Sequence, residues 1–296
     1  APFIFHYDGS RWQRTPSPTS EPILAASMLS ATDGWAITYD TILHYTGGAW
    51  TVAGAYSVPG DSIFLSNIVM TSPGDGWIGG RDDGATTESA FLLHMSGGQW
   101  RRVALPDVVG GTSVGGATCI NAISMLSPSE GWAHETVFSP STGTVGTVLL
   151  HYVNGTWRSA GTPVAATLTG LAAISPQEVW MVGSVTGITG GIFEYANGQI
   201  GQVASPTPNI LHAITMLSPT DGWAVGDGAA TLHWDGNQWT KLGFVIHGVA
   251  LTGVAFPTAG EGWAEGDAIT SGPGQQATLL HFRGGVWSVY TLKIGG

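Results

Sequence analysis

The chain is poor in charge, in lysine and in cysteine. Only 10% of its 296 residues are charged, against about a quarter in ordinary domains. The nine basic residues are outnumbered by twenty acidic ones, and the formal net charge is −11. This shortage of positive charge argues against nucleic acid or an anionic membrane surface as a partner. The single cysteine, Cys119, excludes an internal disulfide and opens an apolar run, so we expect a buried small hydrophobic residue there.

Helical patterning and long apolar runs are also missing. No segment keeps apolar residues at i, i+3, i+4 and i+7, so the sequence predicts almost no helix. No stretch of about 18 apolar residues occurs, so we expect no direct membrane insertion. No signal peptide is recognisable, and the predicted first strand begins within two residues of Ala1, which is compatible with a targeting or anchoring segment having been removed.

Glycine is abundant, and two short hairpin sequences alternate along the whole chain. The first kind occurs seven times, as HYDGSRW (6–12), HYTGGAW (44–50), HMSGGQW (94–100), HYVNGTW (151–157), EYANGQI (194–200), HWDGNQW (233–239) and HFRGGVW (281–287). The second kind occurs six times, as SATDGWAI (30–37), SPGDGWIG (72–79), SPSEGWAH (127–134), SPQEVWMV (175–182), SPTDGWAV (218–225) and TAGEGWAE (258–265). A period of roughly 40 to 55 residues with two hairpins per unit is typical of a propeller blade.

The fold class predicted is therefore all-β, a β-propeller of four-stranded antiparallel blades. We name the strands of a blade A to D from the centre outwards. We expect one domain over residues 1–296, with an N-terminal half-blade at 3–14 and six full repeats from about 23 to 291. The half-blade contains only strands C and D, so seven blade positions with one incomplete fit the order best, and six blades are the alternative.

Residues that every repeat shares are predicted to be structural. The acid of the A–B turn is expected to bond its own turn backbone, and the glycine after it to tolerate positive φ. A histidine recurs at one position of strand C, and equivalent positions of separate blades lie too far apart to share a metal. Twelve of the thirteen tryptophans repeat at two positions, so we expect them to pack between blades.

One phrase, GWAVGDGAATLHWDGNQW at 222–239, resembles the repeats of the photosystem II stability/assembly-factor-like propellers. More distantly, the repeats are similar to the Asp-box (BNR) repeats of sialidase-like propellers. The hairpin here has one residue fewer before its tryptophan, and Asp appears in only two of seven copies, Asp8 and Asp235. A sialidase site implies an arginine triad and a Tyr–Glu pair, and no such triad can be carried over. The resemblance implies an extracytoplasmic binding or sensor domain, as in bacterial proteins.

Positions where one repeat departs from the others are the candidates for function. His134 and Glu265 replace aliphatic residues in strand B, and further acids follow that strand. The longest insertions, 79–90, 104–117, 134–146 and 266–277, belong to repeats two, three and six, and rigid scaffolds carry function in such loops. The candidate ligand-binding residues are Asp82, Asp83, His134, Glu135, Asp227, Glu265 and Asp267. We predict no catalytic residue, metal or cofactor.

The favoured function is a non-catalytic binding or sensor propeller outside the cytoplasm, secreted or anchored as an ectodomain. It would recognise a protein or carbohydrate ligand on the face formed by the B–C and D–A loops, and we expect a monomer. One alternative is a propeller-type glycoside hydrolase or lyase using acids such as Glu135, Glu265 and Asp267, although the central positions of strand A are small and uncharged. A structural assembly factor is the other alternative.

Overall fold

The computed structural model describes residues 4–84, 88–106, 118–139, 144–185, 187–242, 246, 248–268 and 277–290. Within these ranges every regular element is a β-strand, which confirms the prediction of an all-β chain. None of the described segments is a helix of the length and apolarity that crossing a membrane requires. The chain divides into two compact units, Ala1–Ala160 and Gly161–Gly296.

The first unit contains an N-terminal hairpin and three blades. The hairpin strands are β1 (Ile4–Tyr7) and β2 (Trp12–Thr15). Blade one is β3 (Ala25–Ser30), β4 (Asp33–Ile37), β5 (Thr41–Thr46) and β6 (Ala49–Ala55). Blade two is β7 (Ser62–Ser72), β8 (Asp75–Asp83), β9 (Glu88–Ser96) and β10 (Gln99–Val103). Blade three is β11 (Cys119–Ser127), β12 (Glu130–Ser139), β13 (Thr144–Val153) and β14 (Thr156–Val164), and β14 runs past the boundary of the unit.

The second unit contains the other three blades. Blade four is β15 (Thr167–Ser175), β16 (Glu178–Ser184), β17 (Gly190–Ala196) and β18 (Gln199–Val203). Blade five is β19 (Leu211–Ser218), β20 (Asp221–Gly226), β21 (Ala230–Trp234) and β22 (Trp239–Lys241). Blade six is β23 (Val249–Thr258), β24 (Glu261–Ala268), β25 (Ala277–Arg283) and β26 (Val286–Tyr290).

The protein is a β-propeller, and its described residues form six four-stranded antiparallel blades, the number that we named above as the alternative to seven positions. Each blade follows the chain order A to D without a crossover. The N-terminal hairpin is a separate two-stranded sheet. It has the register of a C–D pair, since Tyr7 lies opposite Trp12 just as Tyr45 lies opposite Trp50 in blade one.

Burial explains why the second strand of each blade has such a uniform sequence. Strands β4, β8, β16 and β20 are buried at nearly every position after their first residue. A strand covered on both faces reads as a continuous apolar run, as in DGWAI and EVWMVGS. The outermost strands β6, β10 and β18 are mostly exposed, and their few inward positions alternate with polar residues.

The tryptophans of strand B confirm the predicted packing. All six are at most 9% exposed, and Trp132 is fully buried. Three of the strand-D tryptophans, Trp157, Trp239 and Trp287, are also buried. Trp223 contacts Phe282 and Trp287 of the next blade, with ring centroids 4.6 and 5.6 Å away. In blades one, two, four and five, the strand-B indole therefore packs against aromatic side chains of the next blade.

The glycine of the A–B turn has a different role from the one predicted. Gly222 is not among the residues with positive φ. A Cβ atom at this position would lie 2.1 Å from the sulfur of Met216, and the same clash arises between Gly76 and Met70. The glycine therefore makes room for a strand-A side chain. In the C–D hairpins the expected left-handed pairs do occur, since Asn154 and Gly155 have φ of 46° and 89°.

Candidate functional site

A cluster of an acid, a histidine and a tryptophan recurs in five blades. In blade two, Nε2 of His94 lies 2.9 Å from Oδ2 of Asp75, and the imidazole stacks on Trp77 with ring centroids 4.1 Å apart. The other blades with this cluster hold the pairs His44–Asp33, His151–Glu130, His233–Asp221 and His281–Glu261. Because the cluster is repeated in a structural position, it stabilises the blade and is not a single active site.

The acid of the A–B turn therefore has a different partner from the one predicted. We expected it to bond its own turn backbone, but it bonds the histidine of strand C, the next strand along the chain. In blade four, Glu194 replaces this histidine, and Glu178 instead accepts a 3.1 Å bond from the indole nitrogen of Trp180. Burial, and then the nearby charge of Glu178, raise the pKa of Glu194.

Two predicted ligand-binding residues, Asp82 and Asp83, are both paired with arginines. Oδ2 of Asp82 accepts a 2.7 Å bond from Nη1 of Arg102, and the aspartate is nearly buried. Asp83 forms an ion pair with Arg81, with Nε and Oδ1 2.7 Å apart. Neighbouring residues of a strand point to opposite faces, so the two pairs lie on different sides of blade two. The arginines neutralise much of the acidic character that the sequence suggested for this edge.

His134 lies in the core of blade three. Its side chain is fully buried, between Ala122 on β11 and Leu149 on β13 in the strand register. Neither ring nitrogen has a hydrogen-bond partner among the residues that the structure describes, and burial lowers the pKa of the imidazole to about 4. A ligand bound at the surface would therefore not reach this imidazole directly.

Glu135, the next residue, is a buried carboxyl group with a raised pKa. It is only 4% exposed. Its Oε2 atom is buried and has no hydrogen-bond partner in the part of the chain that the structure describes. Burial raises the pKa of the carboxyl to about 7. A glutamate held near neutrality in this way is a recognised mark of a functional site.

Cys119, at the start of β11, is within electrostatic reach of Glu135 and of two charged residues at the end of β8. The Cys119 thiol is influenced by the charges of Arg81, Glu135 and Asp83. Burial raises the pKa of that thiol, and a bond to Ser66 opposes the change. We call these four residues, Arg81, Asp83, Cys119 and Glu135, the blade two–three cluster. It stands at the end of strand B and the start of strand A, which is the face that the sequence predicted for a ligand.

Sequence reasoning missed a column of polar residues in strand A. In five blades strand A contains a β-bulge. The bulge lies three residues before the strand-A residue that faces the strand-B tryptophan. The bulged residues are Ser66, Asn121, Thr169, His212 and Thr252. The hydroxyl of Thr169 donates to the carbonyl of Leu211 in the next blade at 3.1 Å. The available signal was a polar residue at one fixed offset in five of six repeats.

The three remaining predicted residues lie in the second unit. Oδ1 of Asp227 lies 2.8 Å from Nε2 of the bulge residue His212. Glu265 accepts a 2.9 Å bond from the hydroxyl of the bulge residue Thr252. Partial desolvation raises the pKa of Glu265, and the charge of Asp267 adds to this. Glu265 and Asp267 share one face of β24, and both are exposed.

The structure supplies little for a metal or a cofactor. Among the described residues no group of three histidine, cysteine or acidic side chains is arranged to hold a metal ion.

An open polar groove of about 590 Å³ follows residues 189–190 and 202–208 in blade four. It is formed by a D–A connection, as predicted for a site, but in a repeat that the sequence did not single out.

Propellers of several functions are similar to this structure. A structure titled "YCF48 bound to D1 peptide" matches with a TM-score of 0.62 at 19% identity, over 96% of this chain and 85% of the other. "Luciferin-regenerating enzyme" matches with a TM-score of 0.55 at 13% identity, over 91% of this chain and 89% of the other. YCF48 from Cyanidioschyzon merolae is a weaker match, with a TM-score of 0.45 at 14% identity, over 92% of this chain and 98% of the other. No protein-family model and no curated protein sequence matches the chain.

At these identities the likeness establishes the fold. The structure is a β-propeller, and its structural neighbours include a YCF48 photosystem II assembly factor, in line with the first of the two resemblances noted in the repeats. The sialidase-like resemblance finds no counterpart among these neighbours.

Proposed function

We propose that this protein is a non-catalytic binding propeller that holds a segment of another polypeptide at the blade two–three cluster. The observation that carries the proposal is the buried Oε2 atom of Glu135, which has no hydrogen-bond partner among the described residues. Glu135 and the Arg81–Asp83 ion pair both act electrostatically on Cys119. A buried polar group without a partner destabilises a fold by about 1–3 kcal/mol. A ligand that bonds this group would recover that energy.

The chemistry of the cluster suits a peptide backbone. With a pKa of about 7, Glu135 is protonated part of the time and can then both donate and accept a hydrogen bond. The side chains of Arg81 and Asp83 are 35% and 26% exposed, so they offer a further donor and acceptor to solvent. Alternating N–H and C=O groups of an extended chain match such a set. A propeller of this fold has been solved with a bound D1 peptide, which supports a polypeptide ligand over a carbohydrate.

The test is a selection from random twelve-residue peptides displayed on phage, with a glycan array as the contrasting arm. Arg81→Gln should weaken a selected peptide by about tenfold or more, because bonds to charged groups contribute roughly 1.5–3 kcal/mol. Arg101→Gln is the matched control, since Arg101 bonds only Gln99 on the exposed strand β10 among the described residues. Hydrogen exchange of the complex should show protection at the end of β8 and the start of β11.

Two results would contradict the proposal. One is a selected peptide that binds the Arg81 and Arg101 variants equally. The other is binding of glycans alone, with protection confined to the C–D hairpins.

We also propose an extracytoplasmic location, supported only by the resemblance of the repeats to such domains. Fractionation of the native cells with an antibody to the protein tests it, and recovery in the cytoplasmic fraction would refute it.

A second candidate function is supported by the same glutamate. A carboxyl with a pKa of about 7 could act as a general acid in a hydrolase or lyase. The exposed positions of Glu265 and Asp267 do not add to this case, because such chemistry favours an enclosed pair of carboxyl groups. Turnover of a glycoside library that is lost in Glu135→Gln would favour the enzyme over the binding protein.

A further inference from the structure

We propose that the cavity between the N-terminal hairpin and blade one is a docking site for a β-hairpin that carries an acid–Gly–Trp sequence. The cavity has a volume of about 370 Å³, in the range of pockets that hold ligands. Aromatic and apolar side chains dominate its walls, and the principal ones are His6, Tyr7, Trp12, Met28, Tyr45 and Trp50. The hairpin would pair with the edge of β1 that faces away from β2.

The complete blades define what a C–D hairpin of this repeat binds. In each of the five clusters, the strand-B tryptophan packs against the strand-C histidine with ring centroids 3.8 to 4.4 Å apart, and in all but the tilted pair of blade five the two rings are stacked. The acid two residues before that tryptophan bonds Nε2 of the same histidine. An acid and an indole on one strand therefore recognise one histidine.

His6 occupies the position of this histidine in the N-terminal hairpin. It lies opposite Gln13, and its neighbour Tyr7 lies opposite Trp12, in the register that His44 and Tyr45 keep in blade one. No described carboxylate bonds Nε2 of His6, and no described indole stacks on its ring. Instead, Nδ1 of His6 lies 3.1 Å from the hydroxyl oxygen of Tyr45. The recognition group is thus present, while its usual acid and indole are not supplied by the described residues.

The opposite wall of the cavity contains a tyrosine and a tryptophan of the kind that contact the strand-B tryptophan of the preceding blade in another part of the propeller. Trp77 of blade two packs on Tyr152 and Trp157 of blade three, at 4.8 and 5.3 Å between ring centroids. Tyr45 and Trp50 are the corresponding residues of blade one, and both line the cavity.

The strand-A methionine points to the same conclusion. Met70 is 7% exposed in blade two, whereas Met28, at the equivalent position of blade one, is 48% exposed. Burying the side chain of Met28 to the extent of Met70 requires an apolar group on this side of blade one. The cavity therefore has both the histidine and the walls that a strand-B tryptophan contacts in the other blades.

The occupant comes from polypeptide other than residues 1–296. All thirteen tryptophans of the chain are already placed, in strand B, in strand D and at Trp234. The six inner hairpins, β3–β4, β7–β8, β11–β12, β15–β16, β19–β20 and β23–β24, each pair with their own outer strands. A second copy of the chain would have to break a blade to supply one. We therefore assign the site to a separate segment with the inner-strand sequence of this repeat.

The test uses a synthetic peptide with the sequence of residues 210–227, ILHAITMLSPTDGWAVGD. It should bind the protein saturably and protect the backbone amides of β1 from hydrogen exchange. The peptide with Trp223→Ala should bind about 100-fold or more weakly, because a buried tryptophan is lost. The peptide with Asp221→Asn should bind about tenfold more weakly, because the bond to His6 loses its charge.

Variants of the protein provide the matched comparison. His6→Gln should weaken the unmodified peptide, and Arg11→Gln should not, because Arg11 is 73% exposed at the tip of the same hairpin. Circular dichroism and thermal melting confirm that both variants fold. Equal binding of the three peptides would overturn the proposal. So would protection by N-acetyltryptophanamide alone to the same extent, because the site would then be one for a small indole.

A fusion protein tests the same contact if the separate peptide binds too weakly to be measured. The same hairpin joined ahead of Ala1 precedes β1 in the A–B–C–D order that every complete blade has. We expect this fusion to protect β1 and to melt several degrees above the fusion that carries Trp223→Ala. Equal melting temperatures, with β1 unprotected in both, would overturn the proposal.

Discussion

Replacing Glu135 by glutamine should stabilise the protein at high pH and have little effect at low pH. Burial raises the pKa of this carboxyl from 4.5 to about 7. The folded state therefore holds its proton more tightly than the unfolded state, and stability falls as the pH rises from about 4.5 to about 7. A shift of that size, at 1.36 kcal/mol per pKa unit, corresponds to about 3 kcal/mol. Glutamine has nearly the same shape and does not ionise, so the variant escapes this loss.

The assay is denaturant unfolding of both proteins at several pH values between 4 and 8. We expect the gain in the free energy of unfolding of Glu135→Gln to be near its smallest value at pH 4 and to reach about 3 kcal/mol at pH 8. Asp61→Asn, which removes one negative charge from the loop between β6 and β7, is the control and should show no such rise. A gain that does not depend on pH, or a loss at pH 8, would refute the reasoning about burial.

Two further substitutions test the core and one tests a repeat that departs from the others. Trp223→Ala should lower the free energy of unfolding by about 3–5 kcal/mol, because Trp223 is 4% exposed, and an unfolding curve that overlays wild type would show the packing argument to be wrong. His134→Leu should stabilise the protein increasingly as the pH falls from 6.5 to about 4, because burial lowers the pKa of His134, and a gain that is the same at pH 8 and pH 4 would contradict this. Glu194→His should raise the melting temperature by the equivalent of about 0.5–1 kcal/mol, because it restores a pair with Glu178. Glu194→Gln, which only removes the repulsion, is its control, and a lower melting temperature for Glu194→His would refute the pairing.

The repeat pattern determined most of the fold. Alternating hairpins with fixed tryptophans predicted the strands, the absence of helix in the described residues and the burial of Trp77 and Trp223, because these depend on local sequence and on packing that repeats from blade to blade. Resemblance and composition could not decide between seven positions and six blades. The strand pairing decided it, since the described residues contain six inner hairpins, each of which completes a four-stranded sheet.

The side-chain partners of the candidate site residues could not be inferred from the sequence, because they lie on other strands. The acid of the A–B turn was predicted to bond its own backbone, but the pleat brings it beside a histidine of strand C. Asp82 and Asp83 are adjacent in sequence and looked like one acidic cluster, yet they point to opposite faces and meet different arginines.

His134 and Glu135 show the same division most clearly. In the sequence both are polar residues near a long loop, and in the structure both are buried. Their pKa shifts arise from the low dielectric of the packed blades around them. The sequence gives the identity of each residue. The desolvation that raises the pKa of Glu135 comes from strands that are distant in sequence and packed around it in the fold.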